Sequence, residues 1–259
     1  MRNIWTVARK ELSSYFRSPI AYIVLALFAG IFGFFFYTFL SGFMRQIFEQ
    51  AQYTETYGRL YPVNVNESVI QPLFVNVGLV CLFLVPMVTM RLFAEEKKTG
   101  TIELLMTAPV TDLQIILGKF LGALLLYACL LALTFVYISL LFVYGNPDWK
   151  PLVAGYLGLL LLGGCFLSFG LLFSTFTRNQ LIAGSLTFAL FLMLWIINWV
   201  SDFSSTQIGQ IVNYLSFPTH IQNFSKGVID LKDVVYYLSV MGLGLFLTMR
   251  SVESVRWRG

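Results

Sequence analysis

Residues 91–119, RLFAEEKKTGTIELLMTAPVTDLQIILGK, are highly charged at their centre yet lie between two long apolar runs. The rest of the chain gives this segment its meaning, because 58% of all residues are hydrophobic and only 12% are charged. A soluble domain is usually about a quarter charged. The composition therefore predicts an integral membrane protein that can meet a water-soluble partner through this segment.

The apolar runs are long enough to cross a bilayer as helices. A hydrocarbon core about 30 Å thick needs roughly 20 apolar residues per helix. Runs such as LGALLLYACLLAL at 121–133 do not alternate between apolar and polar residues, which argues against a β-barrel. The prediction is one all-α domain with six spans. Their approximate ranges are 20–40, 73–90, 121–143, 152–173, 181–200 and 234–249.

The basic residues predict the orientation, because they are retained on the cytoplasmic side of bacterial inner membranes. With the N-terminus inside, the cytoplasmic parts hold twelve basic residues: Arg2, Arg9, Lys10, Arg17, Arg91, Lys97, Lys98, Lys119, Arg178, Arg250, Arg256 and Arg258. The outer loops hold the other five: Arg45, Arg59, Lys150, Lys226 and Lys232. Both termini are predicted to be cytoplasmic, and such scattered charge gives no reason to expect nucleic acid as a partner.

Two segments outside the spans have helical patterns of their own. Residues 1–18 form a basic amphipathic pattern that predicts an interfacial helix in the inner leaflet, with Trp5 and Tyr15 at headgroup level. Only Glu11 intrudes on its apolar face, and the alternative is a frayed tail. Residues 201–233 predict an outer re-entrant hairpin, in which an apolar helical pattern ends at Phe217 and Pro218.

The sequence gives no reason to expect a catalytic, cofactor or metal site. All charged residues can be placed in loops or at span ends, which argues against an ion-coupled transporter. Gly118 and Lys119 lack the flanking residues of a phosphate-binding loop, so the chain has no nucleotide site of its own. His220 is interpreted as a surface or interfacial residue, and the three cysteines as packing residues: Cys81, Cys129 and Cys165.

Residues 91–119 instead predict a mechanical element. Gly100 permits a turn, Thr101 can cap a short helix that Pro109 ends, and Thr111 with Asp112 can cap the helix entering the third span. A short helix across the ends of two membrane helices would act as a lever. The alternative is an ordinary charged connector.

At these residues the sequence resembles the type-2 ABC exporter (ABC-2) permeases. The family pattern is an acidic and basic cluster, then Gly-Thr-x-Glu-x-Leu and a proline before the third span. The matching residues here are Glu95, Glu96, Lys97, Gly100, Thr101, Glu103, Leu105 and Pro109. The tail HIQNFSKGVIDLKDVVYYLS resembles the branch of gliding-motility-associated and nitrous-oxide-reductase-maturation permeases.

The resemblance implies a half-transporter that dimerises with an identical or paralogous permease and binds two copies of a separate ATPase, which holds ATP and Mg. It places the coupling role on Thr99 to Pro109, with Glu103 as an ion-pairing candidate and Ile102, Leu104 and Leu105 as apolar contacts. Further contacts are implied for Arg9, Lys10, Arg17 and Arg178. ATP hydrolysis would drive export or force transmission, with a possible periplasmic accessory protein. A non-transporting scaffold and an ion-driven secondary transporter are the rival hypotheses.

Overall fold

The computed structural model of the chain describes residues 2–57, 63–103, 109–201 and 213–256, which are almost wholly helical and contain no strand. The helices are α1 (Arg2–Arg17), α2 (Pro19–Tyr57), α3 (Gln71–Thr89), α4 (Ala94–Thr99), α5 (Asp112–Tyr144), α6 (Trp149–Phe176), α7 (Gln180–Ser201), α8 (Phe217–Ser225) and α9 (Leu231–Arg256). A π-helical turn, Asn66–Ile70, leads into α3.

Six of these helices are long and apolar enough to cross a membrane: α2, α3, α5, α6, α7 and α9. The predicted all-α bundle with six spans is therefore confirmed. The main difference is in α2, which continues to Tyr57, well past the predicted end at residue 40. Because six is an even number, the chain enters and leaves the bundle at one end. We call this end the terminal face; it consists of α1, α4, the start of α5 and the ends of α6 and α9.

Helix α6 is the centre of the bundle. In its most apolar stretch of 18 residues, 78% of the residues are buried, whereas the same share is 17% in α7. Its glycines explain this position, since small residues let neighbouring helices approach closely without a loss of packing. A Cβ atom added to Gly155 would collide with the Phe74 ring of α3, and one added to Gly163 would collide with the Tyr127 ring of α5. The sequence analysis did not single out these glycines.

Helix α1 packs against α5 through two further glycines. A Cβ at Gly118 would lie 2.5 Å from Val7 Cβ, and one at Gly122 would lie 2.7 Å from Glu11 Cβ. Tyr15 is only 5% exposed and donates a hydrogen bond to the Val88 carbonyl oxygen at 3.1 Å. The headgroup position predicted for Tyr15 is therefore wrong, because α1 buries this side of its surface against protein.

The opposite end of the bundle contains a buried polar cluster. His220, at 2% exposure, lies with Nδ1 2.6 Å from Asp233 Oδ1 and Nε2 2.8 Å from the Tyr214 carbonyl oxygen. Asn223 donates to the other Asp233 oxygen at 2.8 Å. His220, interpreted from the sequence as a surface or interfacial residue, is instead buried, because α8 turns this face inward. Phe217 and Pro218 begin α8, since proline is favoured in the first turn of a helix. Of the hairpin predicted over residues 201–233, residues 202–212 lie outside the described residues.

We expect Gly163→Ala to lower the free energy of unfolding by about 1–3 kcal/mol, because overpacking forces a rigid neighbour to move. The Tyr127 ring is fixed, since its hydroxyl donates to the Leu159 carbonyl oxygen at 2.8 Å. Gly30→Ala is the matched control, because nothing lies within 4 Å of a Cβ there. Thermal unfolding in detergent micelles measures both variants, and equal midpoints would contradict the packing argument.

Candidate functional site

The segment between α3 and α5 begins with a turn and a short helix. After α3 ends at Thr89, residues 90–93 form a turn and α4 begins at Ala94. Gly100 ends α4 with a φ of 73°, a left-handed conformation that glycine adopts without strain. The turn predicted at Gly100 is confirmed. The Thr99 hydroxyl supports this end of the helix by donating to the Glu95 carbonyl oxygen at 2.9 Å.

The ammonium group of Lys119 is the centre of this region. The Lys119 side chain is 1% exposed, and its Nζ donates to three acceptors. These are Glu11 Oε1 of α1 at 2.9 Å, Glu96 Oε1 of α4 at 2.8 Å and the Leu92 carbonyl oxygen at 2.7 Å. An ammonium has three N–H donors, so every one of them has a partner. The group joins α1, α4 and α5 at one point.

A buried ammonium of this kind is stable only when all of its acceptors are present. Removing charges from water costs several kcal/mol per ion, and the cost is offset only by good geometry and full hydrogen bonding. The Phe93 ring covers the ammonium, with its centroid 5.1 Å from Nζ. We call Lys119, Glu11 and Glu96 the charge junction.

This junction is absent from the sequence-based predictions, although one feature of the sequence indicates it. Glu11 was noted as an intruder on the apolar face of α1, and Lys119 was counted as an ordinary cytoplasmic cation. A carboxylate on an apolar helix face requires a buried cationic partner, since an unpaired buried charge is very costly. The structure supplies that partner from α5, 108 residues further along the chain.

A second set of contacts ties α4 to the end of α6. Lys97 Nζ donates to the Thr175 carbonyl oxygen, and the Phe93 amide donates to Ser174 Oγ at 3.2 Å. The first contact satisfies a carbonyl at the C-terminus of α6 that has no partner within its own helix. Burial lowers the pKa of the Lys97 ammonium, and the nearby Arg178 cation lowers it further.

Glu95 takes part in a more exposed contact. Arg91 Nε donates to Glu95 Oε2 at 3.2 Å, and Arg91 Nη1 donates to Ser18 Oγ at 3.4 Å. The Glu95 side chain is 46% exposed, and ion pairs at such positions contribute at most about 1 kcal/mol. Arg91 therefore links α4 to the start of α2 only weakly.

The predicted coupling residues divide into two groups. Glu96 and Lys97 turn inward to the contacts just described, and Ile102 packs against the hydrophobic core. Glu95 is 46% exposed, and the remaining described members are exposed: Thr99, Gly100, Thr101, Glu103 and Pro109. Arg9, Lys10, Arg17 and Arg178 are exposed as well. Leu104 and Leu105 lie outside the described residues.

The start of α5 is fixed by a capping box. Thr111 is the N-cap, as predicted, and its hydroxyl accepts from the Gln114 amide at 3.3 Å. The Gln114 side chain accepts from the Thr111 amide at 3.4 Å in return. Such reciprocal bonds satisfy two backbone donors that the helix leaves free. Helix α5 then continues without a break through the third span, also as predicted.

We expect Lys119→Met to lower the free energy of unfolding by about 3–5 kcal/mol, because it leaves two largely buried carboxylates without their cation. Thermal unfolding in detergent measures this loss. Adding Glu11→Gln and Glu96→Gln should recover a large part of it, since removing all the charges removes the penalty.

Lys98→Met is the matched control, because Lys98 is exposed on the same short helix. Its effect should stay within about 0.5 kcal/mol. If Lys119→Met and Lys98→Met unfold at the same temperature, the charge junction does not hold the helices together.

The comparisons with known proteins agree with this architecture. Residues 5–249 match the family described as ABC-2 family transporter protein. No curated protein matches the sequence significantly. The family match extends from α1 to the last span and includes the charge junction and the segment between α3 and α5. The chain belongs to the ABC-2 family of transporter proteins.

Proposed function

We propose that this chain is a permease subunit that couples ATP hydrolysis by a separate ATP-binding subunit to export, or to force transmission across the membrane. Residues 99–109 are the proposed contact with the ATPase, and the partner holds ATP and Mg. The single observation that carries the proposal is the contrast within α4 and the residues after it. The inward side of α4 is tied to three other helices, whereas Thr99, Gly100, Thr101 and Glu103 are exposed.

This contrast suits a lever. A contact surface must be open to its partner, but it transmits force only when a rigid connection lies behind it. Glu96 connects α4 to α5 and α1 through Lys119, and Lys97 connects α4 to the end of α6. A displacement of residues 99–103 would therefore move the terminal-face ends of α5 and α6 together. Rigid-body motion of packed helices is a common form of such switching.

Exposed basic residues surround the proposed contact. Arg9, Lys10 and Arg17 lie on α1, which the charge junction fixes to α4, and Arg178 follows α6. Complementary charge at an interface fixes register and speeds encounter. We propose that these residues contact the ATPase at the periphery of the interface and that Glu103 makes an ion pair with the ATPase at the centre of the interface.

The proposal includes an orientation and an assembly. The terminal face, with both termini, is assigned to the cytoplasm of a bacterial cell, because basic residues concentrate there. Two permeases, identical or paralogous, would bind two ATPases, and an accessory protein outside the membrane is a further proposed partner. Helices α2 and α7 keep broad apolar surfaces exposed, which either lipid or a second permease can cover. The gliding-motility-associated or nitrous-oxide-reductase-maturation branch is the proposed subfamily.

Cysteine labelling tests the orientation. In intact cells, a maleimide that cannot cross the membrane should label Lys150→Cys, which is exposed at the opposite end of the bundle, but not Thr101→Cys. After the inner membrane is made permeable, both should be labelled. Labelling of Thr101→Cys in intact cells would reverse the orientation and remove residues 99–109 from any cytoplasmic ATPase.

Charge reversal tests the coupling. We expect Glu103→Arg to weaken association with the co-expressed ATPase more than about tenfold, since opposing like charges at an interface costs several kcal/mol. Stimulation of ATP hydrolysis by the reconstituted permease should fall in parallel.

Glu49→Arg is the control, because Glu49 is exposed near the other end of α2. Both variants should unfold at the wild-type temperature. A permease that binds no ATPase with or without Glu103 would favour the scaffold hypothesis.

A further inference from the structure

A groove on the terminal face lies outside the proposed ATPase contact. It has a volume of about 480 Å³ and runs between the ends of α6 and α9, with α4 at its rim. Leu172, Phe176 and Leu247 form its apolar wall. Two cations, Lys97 and Arg250, and several hydroxyl groups form its polar wall.

The two walls are ordered along the helix axes. Leu172 and Leu247 lie one turn closer to the middle of their spans than Thr175 and Arg250 do, and Ser254 lies one turn further out. Phe176 is 59% exposed and Leu247 is 37% exposed, so the apolar part opens sideways toward the bilayer. The groove thus changes from apolar to polar in the direction in which a lipid changes from acyl chain to headgroup.

Each hydroxyl group in the groove already donates its hydrogen bond to a protein oxygen, so none can donate to a ligand. Thr175 donates to the Leu172 carbonyl oxygen at 2.6 Å, and its oxygen lies 2.6 Å from Ser251 Oγ, which must then be the donor. Ser254 donates to the Ser251 carbonyl oxygen at 2.8 Å. The donors that remain belong to the cations. A ligand must therefore present acceptors, and negatively charged acceptors suit it best.

The cations keep this capacity in spite of their protein contacts. Lys97 uses one of its three N–H groups for Thr175, and Arg250 uses Nη1 for Glu253 at 3.1 Å. A guanidinium has five N–H donors, so most of those on Arg250 remain. Arg178 adds positive charge close enough to affect Lys97. Glu253 is the one acidic side chain in contact with Arg250 among the described residues, which leaves the groove net positive.

We propose that this groove binds one anionic phospholipid, with the phosphate on Lys97 and Arg250 and an acyl chain along Leu172 and Leu247. Basic pockets between membrane helices are a common form of site for anionic headgroups. The proposal does not depend on the proposed function; with the orientation given above, the lipid belongs to the cytoplasmic leaflet. Because Lys97 lies on α4, the lipid would join α4 to α9 through its headgroup.

Lipid titration of the full-length protein tests this site. Delipidated protein in neutral detergent is titrated with phosphatidylglycerol or phosphatidylcholine, and bound lipid is counted by native mass spectrometry. We expect the wild type to retain one phosphatidylglycerol in preference to phosphatidylcholine. Arg250→Gln should bind phosphatidylglycerol about fivefold more weakly, which is the effect of one basic residue near a membrane surface. Arg45→Gln, an exposed cation on α2, should bind as the wild type does.

A second variant distinguishes a loss of lipid binding from a folding defect. Ser254→Glu places a carboxylate in the groove at an exposed position and should also weaken the binding of phosphatidylglycerol. Thermal unfolding in lipid-free detergent should be unchanged for Arg250→Gln, since this side chain is 67% exposed. Equal retention of both lipids by the wild type, or equal binding by Arg250→Gln and Arg45→Gln, would overturn the proposal. Full competition by millimolar inorganic phosphate would overturn the lipid assignment and leave a site for free phosphate.

Discussion

The terminal face of this protein depends on one buried ammonium group. The Lys119 side chain is only 1% exposed, so its charge has to be matched by protein acceptors. Glu11 of α1 provides one of them, and the Leu92 carbonyl oxygen and Glu96, near the start of α4, provide the other two. These bonds join α1, α4 and α5 at one point on the terminal face.

This constraint gives the short helix α4 a role that its length alone could not. Six residues do not form a stable helix in isolation. The charge junction on one side and the contacts of Lys97 and Phe93 with the end of α6 on the other hold α4 in place. Thr99 at the end of α4, and Gly100, Thr101 and Glu103 after it, are exposed. Force applied there would reach two central membrane helices, and a lipid on Lys97 would act on the same helix.

The sequence allowed a good prediction of the features that depend on local pattern. Six apolar runs, the turn at Gly100 and the cap at Thr111 depend on composition or on neighbouring residues, and the structure agrees with all three. Tyr15 and His220 were placed wrongly, because each becomes buried through contacts with distant elements. Glu96 and Lys97 were correctly noticed in a charged cluster, but their inward direction could not be read from spacing.

By itself the sequence determined that the chain is a helical membrane bundle with six spans, since lipid leaves apolar runs of that length no alternative to the helix. Only the tertiary structure decided which helix lies at the centre and which charges lie inside. Both depend on pairs far apart in the chain, such as Gly163 with Tyr127 and Lys119 with Glu11. Local periodicity carries no information about such pairs, because they form only when the helices pack.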